Sequence, residues 1–96
     1  MRKIPNKLYI MKCLEFYKIG ITHNPRARES TIQSSNPTEV RLINYFELPK
    51  KLNTRRLCIE FEESVHQSFS SKKVRGEWYA LDSEDIEKIE DMFKDA

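Results

Sequence analysis

Residues 7–22 read KLYIMKCLEFYKIGIT, and this stretch decides the fold. It contains two runs that are rich in β-branched and aromatic side chains, Lys7–Cys13 and Phe16–Thr22. A short junction, Leu14-Glu15, separates them. Two such runs around a short junction predict a β-hairpin.

The length of the turn decides which hairpin side chains share a face. A two- or four-residue turn centred on the junction places Tyr9 opposite Gly20 and Met11 opposite Lys18. Because side chains alternate along a strand, Tyr9 and Lys18 then lie on the same face, one diagonal apart. A three-residue turn would place them on opposite faces. Taken singly, they fit ordinary roles, a half-buried strand aromatic and a solvated edge lysine.

Outside the hairpin, helix-capping residues and prolines divide the chain into alternating helices and strands. The predicted elements are a helix over 25–34 capped by Asn24, a strand over 40–48, a helix capped by Asn53-Thr54 that runs to about 69–71, a strand over 75–81 and an acidic helix over 83–94. The order β-β-α-β-α-β-α predicts an α+β fold, with helices packed on a mostly antiparallel central sheet.

Composition indicates one small globular domain over residues 1–96. Hydrophobic residues make up 39 % of the chain and charged residues 33 %, which excludes collagen-like and low-complexity chains. No apolar run approaches the roughly 20 residues that span a bilayer, so no membrane association is expected. The amino-terminal residues lack an apolar core, so we expect no secretory signal and a cytoplasmic location.

The cysteines allow two further interpretations. Cys13 and Cys58 are expected to be reduced in the cytoplasm, and a disulfide between them stays open as the alternative. Zinc binding together with His23 and His66 is disfavoured, because the chain contains no Cys-x2-Cys or His-x3-5-His pair.

Charge is distributed unevenly along the chain. Residues 82–96 carry seven acids and two lysines, whereas the first 81 residues carry fifteen bases and eight acids. A basic body with an acidic terminal helix is compatible with a nucleic-acid partner, because phosphate contacts dominate such binding. Solvated charged faces are the commoner explanation of such a pattern, so composition alone leaves both open.

The predicted long helix carries a carboxylate at the margin of its apolar face. The apolar stripe consists of Cys58, Phe61, Val65 and Phe69. Glu62 lies between this stripe and His66, where a carboxylate costs free energy unless it is paired or holds a cation. This position indicates a functional site, and an ion pair with Arg28 or Lys18 is the structural alternative.

Together these residues resemble the GIY-YIG nuclease domain, in particular a phage-borne branch whose second motif reads KIG-x-T. The resemblance spans residues 8–81. In chain order the matching motifs are Leu8-Tyr9-Ile10, Lys18-Ile19-Gly20-Ile21-Thr22, Asn24-Pro25-x-x-Arg28, Glu62-x-x-x-His66 and Gly76-Glu77-Trp78-Tyr79.

The chain departs from that family pattern at four positions. Lys7 replaces the first-motif glycine, and Lys18 replaces the second-motif tyrosine. Ile32 stands where many members have a helix histidine, and Glu77 lies near the place of a late asparagine.

The resemblance implies a metal-dependent endonuclease that hydrolyses phosphodiester bonds of a nucleic acid, with DNA as the expected substrate and RNA left open. Glu62 would hold one Mg²⁺ or Mn²⁺ ion, and Arg28 would bind the scissile phosphate. Tyr9 would align or deprotonate the attacking water, with its pKa lowered by the ammonium of Lys18. His66 would orient Glu62 or carry a proton, or would simply be a surface histidine of the helix.

The resemblance also suggests substrate contacts and partners. Arg26, His23 and Lys12 would contact the substrate. A nuclease of this kind is expected to have low sequence specificity, or to depend on a homodimer or a targeting protein for its specificity. If the protein is phage-encoded, it would act in the host cytoplasm. The alternative function is a catalytically inactive module of the same fold that binds nucleic acid or a protein partner. If it binds a protein, it would act as a regulator or inhibitor, and the acidic helix would be its contact surface.

Overall fold

A computed structural model describes residues 3–94 of the protein. Its elements are β1 (Lys7–Cys13), β2 (Phe16–Thr22), α1 (Pro25–Ser34), β3 (Val40–Glu47), α2 (Arg55–Ser68), β4 (Lys73–Arg75), β5 (Trp78–Tyr79) and α3 (Ser83–Asp91), with a short 3-10 turn (Ser70–Lys72) before β4. The strands form one antiparallel sheet in the order β3-β1-β2-β5-β4. The predicted α+β class and antiparallel sheet are confirmed.

The hairpin has the predicted register. Tyr9 pairs with Gly20 and Met11 pairs with Lys18 across β1 and β2. The turn is therefore the two-residue form, and Leu14 adopts a left-handed backbone with φ of 56°. Tyr9 and Lys18 consequently lie on the same face of the sheet.

The two faces of the sheet are covered by different helices. On one face, α1 packs over Tyr9 and Met11 through Ile32. On the other face, α2 and α3 cover a larger apolar cluster. This cluster includes Leu8, Ile10 and Ile19 from the sheet, Cys58, Val65 and Phe69 from α2 and its end, and Ile89 from α3. The apolar stripe predicted for the long helix is thus confirmed, with Phe61 packed at its edge.

Side chains of α1 tie this helix to the outer edge of β3. The Leu42 N–H donates to Glu29 Oε2 over 2.6 Å, and the Val40 N–H donates to Gln33 Oε1 over 2.7 Å. Asn24 caps the first turn of α1 by accepting from the backbone N–H of Ala27. These bonds hold α1 in a defined position against the sheet, and they use edge-strand groups that would otherwise need another partner.

The predicted strand over 75–81 is wrong in one respect. Two short antiparallel strands, β4 and β5, replace it, and the chain reverses between them at Gly76. Gly76 has φ of 54°, a left-handed conformation that glycine adopts without steric cost and that interrupts an extended strand. The terminal helix also ends earlier than predicted, at Asp91.

Cys13 and Cys58 are free thiols, so the disulfide alternative is not found. Within residues 3–94, none of the helices combines the length and the apolar character needed to cross a membrane.

Candidate active site

A polar site forms at the edge of β2 because β5 is much shorter than its partner. β5 has two residues and β2 has seven. The last backbone bond between the two segments joins the Ile19 N–H to the carbonyl of Glu77, at 3.2 Å. Beyond this bond, side chains of α2 rather than a strand reach the backbone of β2. The Ile19 carbonyl contacts His66, and the Ile21 N–H donates to Glu62.

Glu62 is a half-buried carboxylate that the backbone holds in place. Its Oε2 accepts a hydrogen bond from the Ile21 N–H over 3.1 Å. Burial raises the pKa of Glu62 above its ordinary value, and the nearby charge of Glu77 raises it further. His66 and the Ile21 N–H act in the opposite direction. The site therefore penalises an uncompensated negative charge on Glu62 and favours a cation beside it.

His66 lies one helical turn after Glu62, and its ring nitrogen Nε2 is 2.7 Å from the carbonyl oxygen of Ile19. Because a carbonyl oxygen only accepts, this bond assigns the proton to Nε2. A neutral imidazole then keeps its lone pair on Nδ1. The ring also packs against Tyr79, with 5.5 Å between ring centroids.

Glu77 connects this carboxylate and imidazole to Lys18. Its Oε1 is 3.3 Å from Lys18 Nζ, and the side chains are 37 % and 15 % exposed, respectively. The Lys18 ammonium also lies over the ring of Trp78, at 5.4 Å from the centroid. Three donor atoms lie within 4.8 Å of one another, one from each of Glu62, His66 and Glu77. This group could therefore hold a metal ion.

Tyr9 and Arg28 form a second pair beside this group. Tyr9 is fully buried, and the Arg28 guanidinium lies near its hydroxyl and lowers the pKa of that hydroxyl. The charges of Glu62 and Glu77 raise the pKa of both Tyr9 and Arg28.

The ring of Tyr9 lies directly on Gly20, its cross-strand partner. A methyl group at Gly20 would overlap the hydroxyl and the adjoining ring carbon of Tyr9. Glycine is therefore required at this point of the KIG sequence to admit the Tyr9 ring.

The predicted fall of the Tyr9 pKa is not found. Burial raises the pKa of the Tyr9 hydroxyl, and this effect outweighs the hydrogen bond from Arg28, which lowers it. The cation that lowers the pKa of the hydroxyl is Arg28, whereas Lys18 pairs with Glu77. The sequence placed Tyr9 and Lys18 on one face correctly but did not reveal how deeply the phenol is buried.

The structure gathers the predicted catalytic residues and separates most of the predicted substrate contacts from them. Tyr9, Lys18, Arg28, Glu62 and His66 converge at the β2 edge.

The predicted substrate contacts lie elsewhere. Arg26 is 77 % exposed and pairs with Glu29 at 3.4 Å. Lys12 lies three residues from Tyr9, on the opposite face of β1, over the ring of Tyr17. His23 lies exposed in the segment between β2 and α1.

Glu77 is the residue of this group that sequence reasoning did not name as a candidate metal ligand. The signal was present in Gly76-Glu77-Trp78-Tyr79, where Glu77 occupies the neighbourhood of a late asparagine. Its role became visible only when the turn at Gly76 and the short β5 placed its carboxylate opposite α2.

The fold and the site define a small α+β domain with a carboxylate–imidazole group and a tyrosine–arginine pair at one sheet edge. The chain belongs to the T5orf172 domain family, whose model matches residues 6–94, including α3. This family comprises small domains of phage and bacterial proteins related to nucleases, and membership relates the chain to nuclease and nucleic-acid-binding functions. No curated protein and no solved structure matches the chain.

Proposed function

We propose that this domain is a metal-dependent endonuclease of the GIY-YIG type that hydrolyses phosphodiester bonds in DNA. The observation that supports the proposal is the convergence of Tyr9, Lys18, Arg28, Glu62 and His66, which come from four different elements. A fold that served only as a scaffold would have no need for a half-buried carboxylate whose charge acts on a nearby arginine.

The donor set fits a divalent cation. Glu62 and Glu77 are carboxylates held close together, and burial raises the pKa of Glu62. A cation would relieve both the burial of this charge and the repulsion between the two carboxylates. Glu62, with Glu77 and His66 beside it, would hold Mg²⁺ or Mn²⁺. When bound, the ion supplies Lewis-acid stabilisation of the charge that develops on the phosphate and the leaving oxygen.

Arg28 is suited to bind the scissile phosphate. Arg28 occupies an exposed position of α1, and its guanidinium interacts with the buried Tyr9 hydroxyl, which raises the pKa of Arg28. A planar guanidinium can donate to two phosphate oxygens and stays charged at every relevant pH. Arg28 therefore provides both charge and orientation for the substrate.

Tyr9 acts through its hydroxyl group. Arg28 can only donate, so the Tyr9 oxygen would be the acceptor toward Arg28, and the phenol proton would turn to a water or phosphate oxygen that reaches this otherwise buried hydroxyl in the substrate complex. Since burial raises its pKa, Tyr9 is protonated in the free protein at neutral pH. It therefore orients the attacking water, and removal of the water proton by Tyr9 would first require loss of the phenol proton.

The test is a cleavage assay on plasmid and single-stranded DNA, with and without Mg²⁺ or Mn²⁺. We expect metal-dependent cleavage that falls at least about 100-fold in Glu62→Gln, because the variant removes the charge that holds the ion. Glu63→Gln, an exposed neighbour on the same helix, is the matched control and should cleave normally.

If no condition supports cleavage while wild type and Glu62→Gln bind DNA equally, the enzymatic proposal is wrong. The inactive binding module would then be the function of the domain.

A further inference from the structure

We infer that Glu62, His66 and Glu77 form a three-donor metal site that selects first-row transition ions, such as Mn²⁺ and Co²⁺, over Mg²⁺. The inference rests on the proposed function only in placing an ion beside Glu62. It adds two ligands and a class of ion to that proposal.

The donor atoms already lie near the separation that one shared ion requires. They are within 4.8 Å of one another. Two donors on opposite sides of an ion with bonds of about 2.1 Å are about 4.2 Å apart. Side-chain rotations that shorten these separations would bring all three donors onto one ion.

The hydrogen bond of His66 prepares the ring for coordination. Nε2 donates to the Ile19 carbonyl over 2.7 Å, which leaves the lone pair on Nδ1. Metal-binding histidines characteristically donate their other ring N–H to a carbonyl or carboxylate in this way. The same bond also fixes the orientation of the ring relative to β2.

The nitrogen donor determines the class of ion. Mg²⁺ prefers oxygen ligands in near-octahedral geometry and keeps several waters, so an imidazole adds little to its binding. Imidazole ligands favour transition ions, and affinity at such mixed sites rises from Mn²⁺ to Co²⁺. Two carboxylates and one imidazole thus favour Mn²⁺ and Co²⁺ over Mg²⁺.

The local charge also suits a cation. Glu62 and Glu77 carry two negative charges, and Lys18 supplies one positive charge through its 3.3 Å pair with Glu77. Among the described residues, Glu62 forms no salt bridge of its own, although the charge of Arg28 also acts on both carboxylates. A carboxylate has enough lone pairs to contact both an ammonium and a metal ion, so Glu77 can keep Lys18 while it coordinates.

The chain provides its own reporter for metal binding. Trp78 is its one tryptophan, follows Glu77 directly and lies 5.4 Å from Lys18 Nζ. Paramagnetic Mn²⁺ or Co²⁺ bound to Glu77 should quench the fluorescence of Trp78. Isothermal titration calorimetry provides a second readout that includes Mg²⁺.

The experiment titrates Mn²⁺, Co²⁺ and Mg²⁺ into the purified protein without DNA. We expect Mn²⁺ and Co²⁺ to bind at least about 10-fold more tightly than Mg²⁺, because the site contains one nitrogen donor. His66→Gln should abolish this preference while retaining Mg²⁺ binding, since its amide can still donate to the Ile19 carbonyl. Glu77→Gln should weaken all three ions, and Glu63→Gln should change nothing.

Equal affinity for Mn²⁺ and Mg²⁺, or an unchanged preference in His66→Gln, would overturn the inference. Cleavage separates this failure from failure of the proposed function. Glu62-dependent cleavage without any preference for transition ions would leave the nuclease proposal intact. Tight Mn²⁺ binding that requires His66, in a protein that never cleaves DNA, would support the metal site and refute the nuclease.

Discussion

Replacement of Gly20 by alanine should destabilise the protein even though its backbone permits the change. The only glycine with a positive φ among the described residues is Gly76, so Gly20 has a conformation that alanine also adopts. On backbone grounds alone, Gly20→Ala should stabilise a strand by about 0.5–1 kcal/mol. The new methyl group, however, would overlap the Tyr9 hydroxyl and ring.

The overlap should outweigh the backbone gain. Overpacking of a buried position costs about 1–3 kcal/mol, and the fully buried Tyr9 has little room to move. The net expectation is a loss of up to about 2.5 kcal/mol in the free energy of unfolding, because the overpacking cost minus the strand gain spans about 0–2.5 kcal/mol. Displacement of Tyr9 should also weaken its bond to Arg28, so cleavage should fall with stability.

Urea denaturation followed by Trp78 fluorescence measures the effect. The same substitution is made in a Tyr9→Leu background, where the shorter side chain removes the ring that the methyl group meets. There, Gly20→Ala should be neutral or stabilising. A stabilising effect in the wild type, or an equal loss of stability in both backgrounds, would show that overlap with the Tyr9 ring is not what destabilises Gly20→Ala.

Two further predictions concern charge. Arg28→Lys should lower cleavage at least about 100-fold, because an ammonium cannot form the bidentate phosphate contact. Arg26→Lys is the control and should cleave normally. Equal losses of steady-state cleavage rate in the two variants would refute the assignment of Arg28 as the phosphate-binding residue. Burial raises the pKa of Glu62, so its ionised form destabilises the metal-free fold. Glu62→Gln should therefore unfold at a higher urea concentration than wild type at pH 7. This difference in stability should shrink as the pH falls toward the ordinary glutamate pKa, because Glu62 is then protonated in the wild type as well. A stability difference that stays constant at all pH values would show that the charge of Glu62 does not destabilise the fold.

The sequence predicted features that depend on local backbone chemistry. The two-residue junction at Leu14-Glu15 determined the hairpin register, and Asn24-Pro25 marked the start of α1. The helical period of α2 also located Glu62 at the edge of the apolar stripe, where the structure has it. These features follow from turn length, capping and periodicity, each of which is written in a few neighbouring residues.

Features that depend on distant parts of the chain were not predictable. The expectation that Lys18 would lower the Tyr9 pKa failed because two facts were missing. One is the depth of burial under α1, and the other is the pairing of Lys18 with Glu77. Likewise, the segment 75–81 contains strand-forming residues, but the left-handed Gly76 divides it. The strand propensity of residues 75–81 did not reveal where β5 would pair with β2.

The short length of β5 links these observations to function. An edge strand exposes backbone N–H and carbonyl groups that must find partners. Where β5 stops, Glu62 and His66 take the groups of Ile21 and Ile19, so each functional side chain is anchored to a rigid strand. Precise sites need such support from ordered neighbours. A longer β5 would satisfy the same backbone groups itself, and it would remove both the anchor of Glu62 and the opening through which a phosphate could approach. Early termination of β5 is therefore the structural condition for the site.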